Sequence, residues 1–389
     1  MGRSFDLQCV LVADDLTGAC DAGVQFVNRG LRCDLLLEPE YSLASQLPDV
    51  VACTTDSRGD SEEEAANRVA IVASKFGALS PQYVFKKIDS TFRGNVASEI
   101  QACMDSFECS CVLIAPAFPA MQRTVERGVL RWNDCSGASK LDIHSALCKS
   151  FGNVANIQTG VAGEAELADE MRQAVAAGTL VLLADGASQE DLRKVVVAGA
   201  RLPGRMLWVG SGGLAMELAK HLRPGQVALH GKLAHGNGPV IFCIGSDHPV
   251  TAAQEEFLLR QADAETVNVS RASVDSARRA LRQRRDIVLR IRRGVTTELE
   301  FRDFFLALEG LPMAGMLMSG GDTGAMVCRA LRVNAIHLES EIVIGLPWGV
   351  AVGGVAHGMR VATKSGGFGA EDALIRVAEF FAPARKAVK

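Results

Sequence analysis

The residues with the most chemical potential fall in two sets, one in each half of the chain. The C-terminal set opens at Met316-Leu317-Met318-Ser319-Gly320-Gly321-Asp322-Thr323-Gly324, an apolar run, a glycine turn and then helix formers. That order reads as strand, loop and helix N-terminus. Unpaired N–H groups and the dipole at such an end favour an anion, and paired glycines let a phosphate approach the backbone. Asp322 stands where a carboxylate could hold Mg²⁺ against that phosphate, and Thr323 adds a hydroxyl. A second cluster, Lys364-Ser365-Gly366-Gly367-Phe368-Gly369, brings a cation and precedes a helix-like run from Glu371 to Phe381. A third candidate turn, Gly245-Ser246-Asp247-His248-Pro249-Val250-Thr251, follows the apolar run from Val240 to Ile244. Each turn alone is ordinary α/β punctuation. Several in one half, with a cation and a metal-capable acid, point to a nucleotide site. His248, near a helix start, reads as a surface polar residue.

The N-terminal set mixes acids and bases: Asp14-Asp15, Thr55-Asp56-Ser57-Arg58, and Lys86-Lys87-Ile88-Asp89-Ser90-Thr91-Phe92-Arg93-Gly94-Asn95. Lys87, Arg93 and Asn95, together with Arg58, would bind a carboxylate, each charge-assisted bond contributing about 1.5–3 kcal/mol. Asp14 and Asp15 would repel an anion and so belong at the hydroxyl end of a ligand. There one could act as general base, worth roughly 10²–10⁴ in rate. The inferred ligand is a small polyhydroxy acid. Simpler roles compete: Asp15 as cap of a helix beginning near Thr17, Lys86 as a solvated strand residue, Asp89 as partner of Arg93 at helix spacing. The rigid Pro116-Ala117-Phe118-Pro119-Ala120-Met121-Gln122-Arg123 loop could close the pocket with Arg123.

Alternating elements must position these residues. Apolar runs at Leu7–Ala13, Cys33–Leu37, Val50–Cys53, Ser110–Ala115, Leu180–Ala184 and Met206–Val209 alternate with helical patterns. One of these helices spans Ser61 to about Phe76 and opens on a Ser61/Glu64 capping box. In the second half, strands Thr266–Val269 and Ile287–Ile291 alternate with helices Ser273–Leu281 and Thr297–Leu308. This is α/β organisation with mostly parallel sheets and ligands at the carboxyl ends of the strands. From Arg131 to Thr159 only a helix at Ile143–Lys149 is legible. The expected domains are residues 1–224 and 239–389, joined by a glycine-, proline- and histidine-bearing linker at 225–238.

At 389 residues, 48% hydrophobic and 22% charged, the composition is that of a two-domain globular protein. A formal charge of −4 argues against a nucleic-acid partner, and no apolar run reaches membrane-spanning length. No leader is visible at the start. Eleven scattered cysteines favour a reducing cytoplasm over a disulfide framework. The basic run from Arg278 to Arg293 reads as a solvated face. Gly210-Ser211-Gly212-Gly213-Leu214-Ala215 is similar to a dinucleotide fingerprint but lacks the acidic residue about 20 positions on, so close helix–strand packing is the better explanation.

Several of these stretches in order, namely Ala13–Ala19, Lys86–Asn95, Ala115–Ala120, Gly245-Ser246 with Thr251 and Gln254, Gly320–Thr323 and Lys364–Gly369, resemble the four-carbon acid sugar kinase family over nearly the whole chain. The resemblance implies two α/β domains, each a mostly parallel sheet flanked by helices, with the active site in the cleft between them. It implies an N-terminal acid-sugar domain, a C-terminal ATP domain and phosphorylation of threonate, erythronate or 3-oxo-tetronate at the terminal hydroxyl. Asp14, Asp15, Arg58, Lys87, Asp89, Ser90, Arg93 and Asn95 would then face the sugar acid. Ser246, Thr251, Gly320, Gly321, Asp322, Thr323, Gly366 and Gly367 would face ATP, with Asp322 on Mg²⁺. Asp15 is the expected base, and Lys364 or Arg123 the charge stabiliser. Gln122 stands where the family carries Gly before the Arg, and His248 where it carries a small hydroxyl residue. The competing expectations are an NAD-dependent hydroxy-acid dehydrogenase built on Gly210–Ala215 and a catalytically silent sugar-acid-binding protein. Homo-oligomerisation is left open.

Overall fold

The computed structural model describes residues 7–37, 47–134, 137–160, 163–228 and 236–383, so the chain start and residues 229–235 of the expected linker lie outside the described residues. The chain divides into two compact units: Met1–Asp34 with Ser42–Ala228, and Leu35–Tyr41 with Leu229–Lys389.

The first unit opens with β1 (Cys9–Ala13), α1 (Leu16–Val27), β2 (Cys33–Leu36), β3 (Val50–Thr54), α2 (Glu62–Phe76), β4 (Tyr83–Lys87), α3 (Val96–Ser106) and β5 (Cys111–Ala115). β6 (Arg123–Glu126), β7 (Val129–Asp134) and β8 (Gly137–Asp142) then form a separate antiparallel sheet. α4 (Ile143–Phe151), β9 (Val154–Ile157), α5 (Glu164–Ala176), β10 (Val181–Ala184), α6 (Gln189–Gly199), β11 (Met206–Gly210) and α7 (Gly212–Leu222) complete it. The large sheet runs β2-β3-β1-β4-β11-β5-β10-β9, and its ladders from β3 to β9 are all parallel. β1 is buried throughout because helices cover both faces, hence its unbroken apolar run. From β1 the chain builds outward to β3 on one side and then crosses to β4 on the other. The carboxyl end of β1, where Asp14 and Asp15 sit, is therefore a point at which strand order reverses and a crevice opens.

The second unit contains β12 (Val240–Ile244), α8 (Pro249–Gln261), β13 (Ala264–Asn268), α9 (Val274–Arg282), β14 (Asp286–Arg290), α10 (Glu298–Leu306), β15 (Gly315–Ser319) and α11 (Gly321–Leu331). β16 (Ala335–Val343), β17 (Leu346–Val352), β18 (Arg360–Lys364) and α12 (Ala373–Phe381) follow. Its strand order is β13-β14-β12-β15-β18-β17-β16, with only β17 running antiparallel to its neighbours. Here order reverses between β12 and β15. Phe242, Leu317, Trp348, Leu374 and Phe381 build the core beneath.

Two antiparallel features escape the sequence pattern. β8 is mostly exposed and so shows no apolar alternation. β16 carries irregularities between Leu338 and Ser340 and between Glu341 and Val343, which break the two-residue period.

Lys86 requires a correction. It is not solvated but fully buried, with Nζ 2.6 Å from Glu99 Oε2 and donating to the Lys87 carbonyl. Glu99 Oε1 accepts from Ser57 Oγ at 2.6 Å, tying α3 to the loop after β3. Alternation places a side chain in water only where a sheet has a wet face, and this one does not. Lys86→Met would strand the Glu99 carboxylate, so it is expected to destabilise the first unit by about 3–5 kcal/mol. The double change Lys86→Met with Glu99→Leu is expected to recover much of that loss in denaturant unfolding. A double variant no more stable than the single one would show that the pair itself carries the stability.

Candidate active site

In the first unit, the ends of β3, β1 and β4 bring an acid–base cluster together. Arg58 donates from Nε to Asp14 Oδ2 at 2.7 Å, from Nη2 to Asp14 Oδ1 at 2.8 Å and from Nη1 to Asp15 Oδ2 at 2.8 Å. Burial opposes its charge, yet Asp15 and Asp14 hold the guanidinium well above its ordinary value. Its fork is thus occupied by the protein's own acids rather than presented to a ligand carboxylate. Asp15 also caps α1, with Oδ1 accepting from the Gly18 N–H at 2.7 Å and Oδ2 from Thr17 Oγ1 at 3.0 Å. The capping role considered for Asp15 is therefore real, and the carboxylate faces the cluster as well.

Asp89 pairs bidentately with Arg93, at 3.0 and 2.8 Å, but in a loop rather than along a helix. Burial would raise its carboxyl pKa, but the bonded Arg93, with Arg58 behind it, holds it well below the carboxylate range. Lys87 is buried and donates to the Ile88 carbonyl at 3.0 Å. Ser90 is buried within the same loop. Gly94 has φ +94°, and a Cβ there would stand 3.2 Å from Asp14 Oδ2 and 3.4 Å from Arg58 Cγ, so the loop closes directly on that pair. Asn95 departs from expectation. Its Nδ2 donates to the carbonyls of Ser57 and Asp60, at 3.1 and 2.9 Å, and splices two loops together. Arg123 opens β6, and its Nη1 donates to the Met121 carbonyl at 2.6 Å. Gln122 before it takes φ +57°, the left-handed conformation that suits glycine.

In the second unit, three turns converge at the ends of the adjacent strands β12, β15 and β18. Gly320 has φ +104°, and its N–H donates to the Lys364 carbonyl at 2.9 Å. A Cβ on Gly320 would lie 3.6 Å from Ser246 Cβ, one on Gly245 would collide with Thr323 Oγ1, and one on Gly366 would collide with Ser246 Oγ. α11 begins at Gly321 without a side-chain cap, unlike α1, α7 and α8. The first-turn N–H groups of Gly321, Asp322 and Thr323 therefore point from a helix end that no side chain closes, at the centre of the three turns. Asp322 is largely exposed and stands 3.3 Å from Arg293 Nη1.

Lys364 organises this cradle. Its side chain is fully buried, and Nζ donates to Thr251 Oγ1 at 3.1 Å, to the carbonyls of Ser365 and Gly366 at 3.0 Å each and to that of Phe368 at 3.3 Å. Burial pushes its pKa down to about 7. Thr251 donates in turn to the Gly366 carbonyl at 2.7 Å, and Gln254 Nε2 to the carbonyls of Phe368, Gly369 and Ala370. His248 caps α8, its Nδ1 accepting from the Val250 N–H at 3.2 Å, the task a small hydroxyl residue ordinarily performs. A Cβ on Gly367 would lie 3.1 Å from its Nε2.

The glycines that suggested a dinucleotide are closed over by protein. A Cβ on Gly210, Gly212 or Gly213 would meet Ala115 O at 2.6 Å, Asp21 Oδ2 at 2.7 Å or Ala117 O at 2.5 Å, and Ser211 already caps α7. They let the turn between β11 and α7 pack closely against the end of β5, the loop after it and α1. Sequence reasoning missed the Lys86–Glu99–Ser57 chain and the carbonyls gathered by Gln254. Amide-to-carbonyl bonding leaves no pattern in sequence. Lys86 could have been found from the apolar residues on both sides of it, which mark a strand buried on two faces.

A family model described as a sugar-binding N-terminal domain matches residues 9–218, and one described as a nucleotide-binding C-terminal domain matches residues 301–374. The second match takes in the turns at Gly320 and Lys364. The D-threonate kinase of Bordetella bronchiseptica is 31% identical, over 95% of this chain and 96% of its own length. The D-erythronate kinase of Heliobacterium modesticaldum is 27% identical over 94% of each. A solved structure from Haemophilus influenzae, 20% identical, shares the fold with a TM-score of 0.74, covering 96% of this chain and 100% of that one. With the first match covering the acid–base cluster, the second covering two of the three turns, and a D-threonate kinase 31% identical over nearly the whole chain, the chain belongs to the four-carbon acid sugar kinase family, a family of phosphotransferases.

Proposed function

We propose that this protein transfers the γ-phosphate of ATP to the terminal hydroxyl of a four-carbon sugar acid of the threonate, erythronate or 3-oxo-tetronate type. The observation that carries the reading is the uncapped start of α11 set among three close-packed turns, a site shaped for a polyphosphate. The relatives named as D-threonate and D-erythronate kinases support the substrate class. Free thiols at the described cysteines suit a cytoplasmic setting, and no helix among the described residues is long and apolar enough to cross a membrane.

In this mechanism Lys87 and Arg93 hold the acid's carboxylate, while Asp14 and Asp15 face its hydroxyls. Asp15 accepts the proton of the attacking hydroxyl, and Arg58 orients both aspartates. Main-chain N–H groups of Gly321 to Thr323 and the Ser246 hydroxyl bind the phosphates. Lys364 acts through the turn that it holds, and Arg123 serves as the charge stabiliser on the acid side. Among the described residues no group of three or more His, Cys, Asp or Glu could cage a metal. Asp322 alone fits a Mg²⁺ that takes its remaining ligands from phosphate and water, and the ion would neutralise charge on the transferring group. Transfer requires the two half-sites to face one another with water excluded.

Incubating the protein with ATP–Mg²⁺ and each four-carbon acid, and following ADP release, tests the reading. One acid is expected to drive turnover. Thermal protection by NAD in place of ATP would favour a dehydrogenase, and protection by an acid with no ADP release from any of them would favour a silent binder. Asp15→Asn is expected to lower kcat by roughly 10²–10⁴ with sugar-acid affinity retained. Gly366→Ala drives a methyl into Ser246 Oγ and is expected to weaken ATP binding selectively, read as a rise in the KM for ATP at unchanged acid affinity. Lys364 supplies a pH signature. Free, it titrates at about 7, and a bound triphosphate raises that value. The complex then carries more protons than the free enzyme, so ATP affinity should fall as pH rises above about 7. Calorimetry in buffers of different ionisation enthalpy should register proton uptake that Lys364→Met abolishes.

A further inference from the structure

At the far ends of β15 and β18 from the glycine turns, the second unit contains a cavity of about 340 Å³, walled in part by Gly236, Ala314, Val355, His357, Gly358 and Arg360. That volume is near the lower end of small-ligand pockets, roughly 300–1,000 Å³. Its wall is preformed by a tight connection between β17 and β18. The Gly358 N–H donates to the Ala351 carbonyl at 2.8 Å, the Ala351 N–H to the Met359 carbonyl at 2.9 Å and the Gly353 N–H to His357 Nδ1 at 3.1 Å. The last bond leaves the neutral imidazole its proton on Nε2, a donor on the same wall.

Arg360 is the anomaly. Its Nη1 is wholly buried with no hydrogen-bond partner, and no described carboxylate pairs with it. Burial pushes the guanidinium below its ordinary value, whereas Arg58 gathers three carboxylates and moves the other way. The residue as a whole is only partly buried, so the rest of its fork is open to a ligand while Nη1 lacks a protein partner, and a guanidinium fork matches the oxygens of phosphate or carboxylate. We propose that this cavity is a second anion site, distinct from the glycine turns, which takes a small phosphate- or carboxylate-bearing metabolite on Arg360. The inference does not rest on the kinase reading.

The test is calorimetric titration of inorganic phosphate, and separately acetate, into the full-length protein, Arg360→Met and Arg360→Lys, each with and without ADP–Mg²⁺. The nucleotide serves only to occupy the turns, and its failure to bind would leave the Arg360 comparison intact. Wild type should bind one anion in the presence of ADP. Arg360→Met should weaken that binding roughly tenfold or more, and Arg360→Lys, which keeps the charge but loses the fork, several-fold. Tighter binding of phosphate would identify a phosphate ester as the natural ligand, and tighter binding of acetate a carboxylate. No uptake of either anion by wild type, or equal affinity in all three proteins, would overturn the site. If Arg360→Met fails to fold, equal affinity in wild type and Arg360→Lys would do the same.

Discussion

The nucleotide half of this protein depends on one ammonium buried without a carboxylate. Lys364 is held by one hydroxyl and three carbonyl oxygens, so its charge meets dipoles rather than an opposing charge. Those dipoles belong to the turn itself. The interaction that tolerates the lysine is therefore the same one that folds Ser365 to Phe368 against the start of α8. Lys86, equally buried, is resolved in the opposite way, by direct contact with Glu99. One lysine locks a neutral scaffold, and the other leaves positive charge in the wall of a cradle. Under the proposed function, a polyphosphate would supply the counter-charge that this wall lacks.

The acid-binding half follows a different electrostatic plan. Arg58 and Arg93 are already matched to Asp14, Asp15 and Asp89, so a ligand entering there meets a preorganised, nearly balanced network. Such a network discriminates by hydrogen bonding more than by net charge. Carboxylates with remaining lone pairs can count and orient hydroxyls, and a site built to bond a hydroxyl rejects an analogue that lacks it far more strongly than an apolar pocket would. Under the proposed function, discrimination between acids that differ only in hydroxyl configuration would fall to Asp14 and Asp15, and affinity for the shared carboxylate to Lys87 and the donors of Arg93 that Asp89 leaves open.

The alternation of strand and helix was legible because both sheets are covered on two faces, which turns each central strand into a continuous apolar run. The turns were legible because glycine and hydroxyl residues cluster where strands end. Direction of side chains was less so. Arg58 looked like a ligand-binding cation because sequence does not reveal that Asp14 lies within reach of it. Asn95 sat inside a motif full of charged residues yet bonds only main chain. β6 to β8 went unseen because that small sheet is held mainly by its backbone ladders and shows little apolar patterning.

The two departures from the family pattern illustrate what a motif residue is selected for. At Gln122 the backbone is left-handed, a geometry that glycine adopts freely and that costs another residue about 1–2 kcal/mol. The turn keeps its shape, so Arg123 still opens β6 and pairs across to Trp132. At position 248 the requirement is an acceptor for a first-turn N–H of α8, and an imidazole nitrogen meets it as a hydroxyl would. The bulk that comes with the ring is accommodated because Gly366 and Gly367, having no side chains, leave room for it. A left-handed turn at one position and a cap acceptor at the other are what these two residues supply.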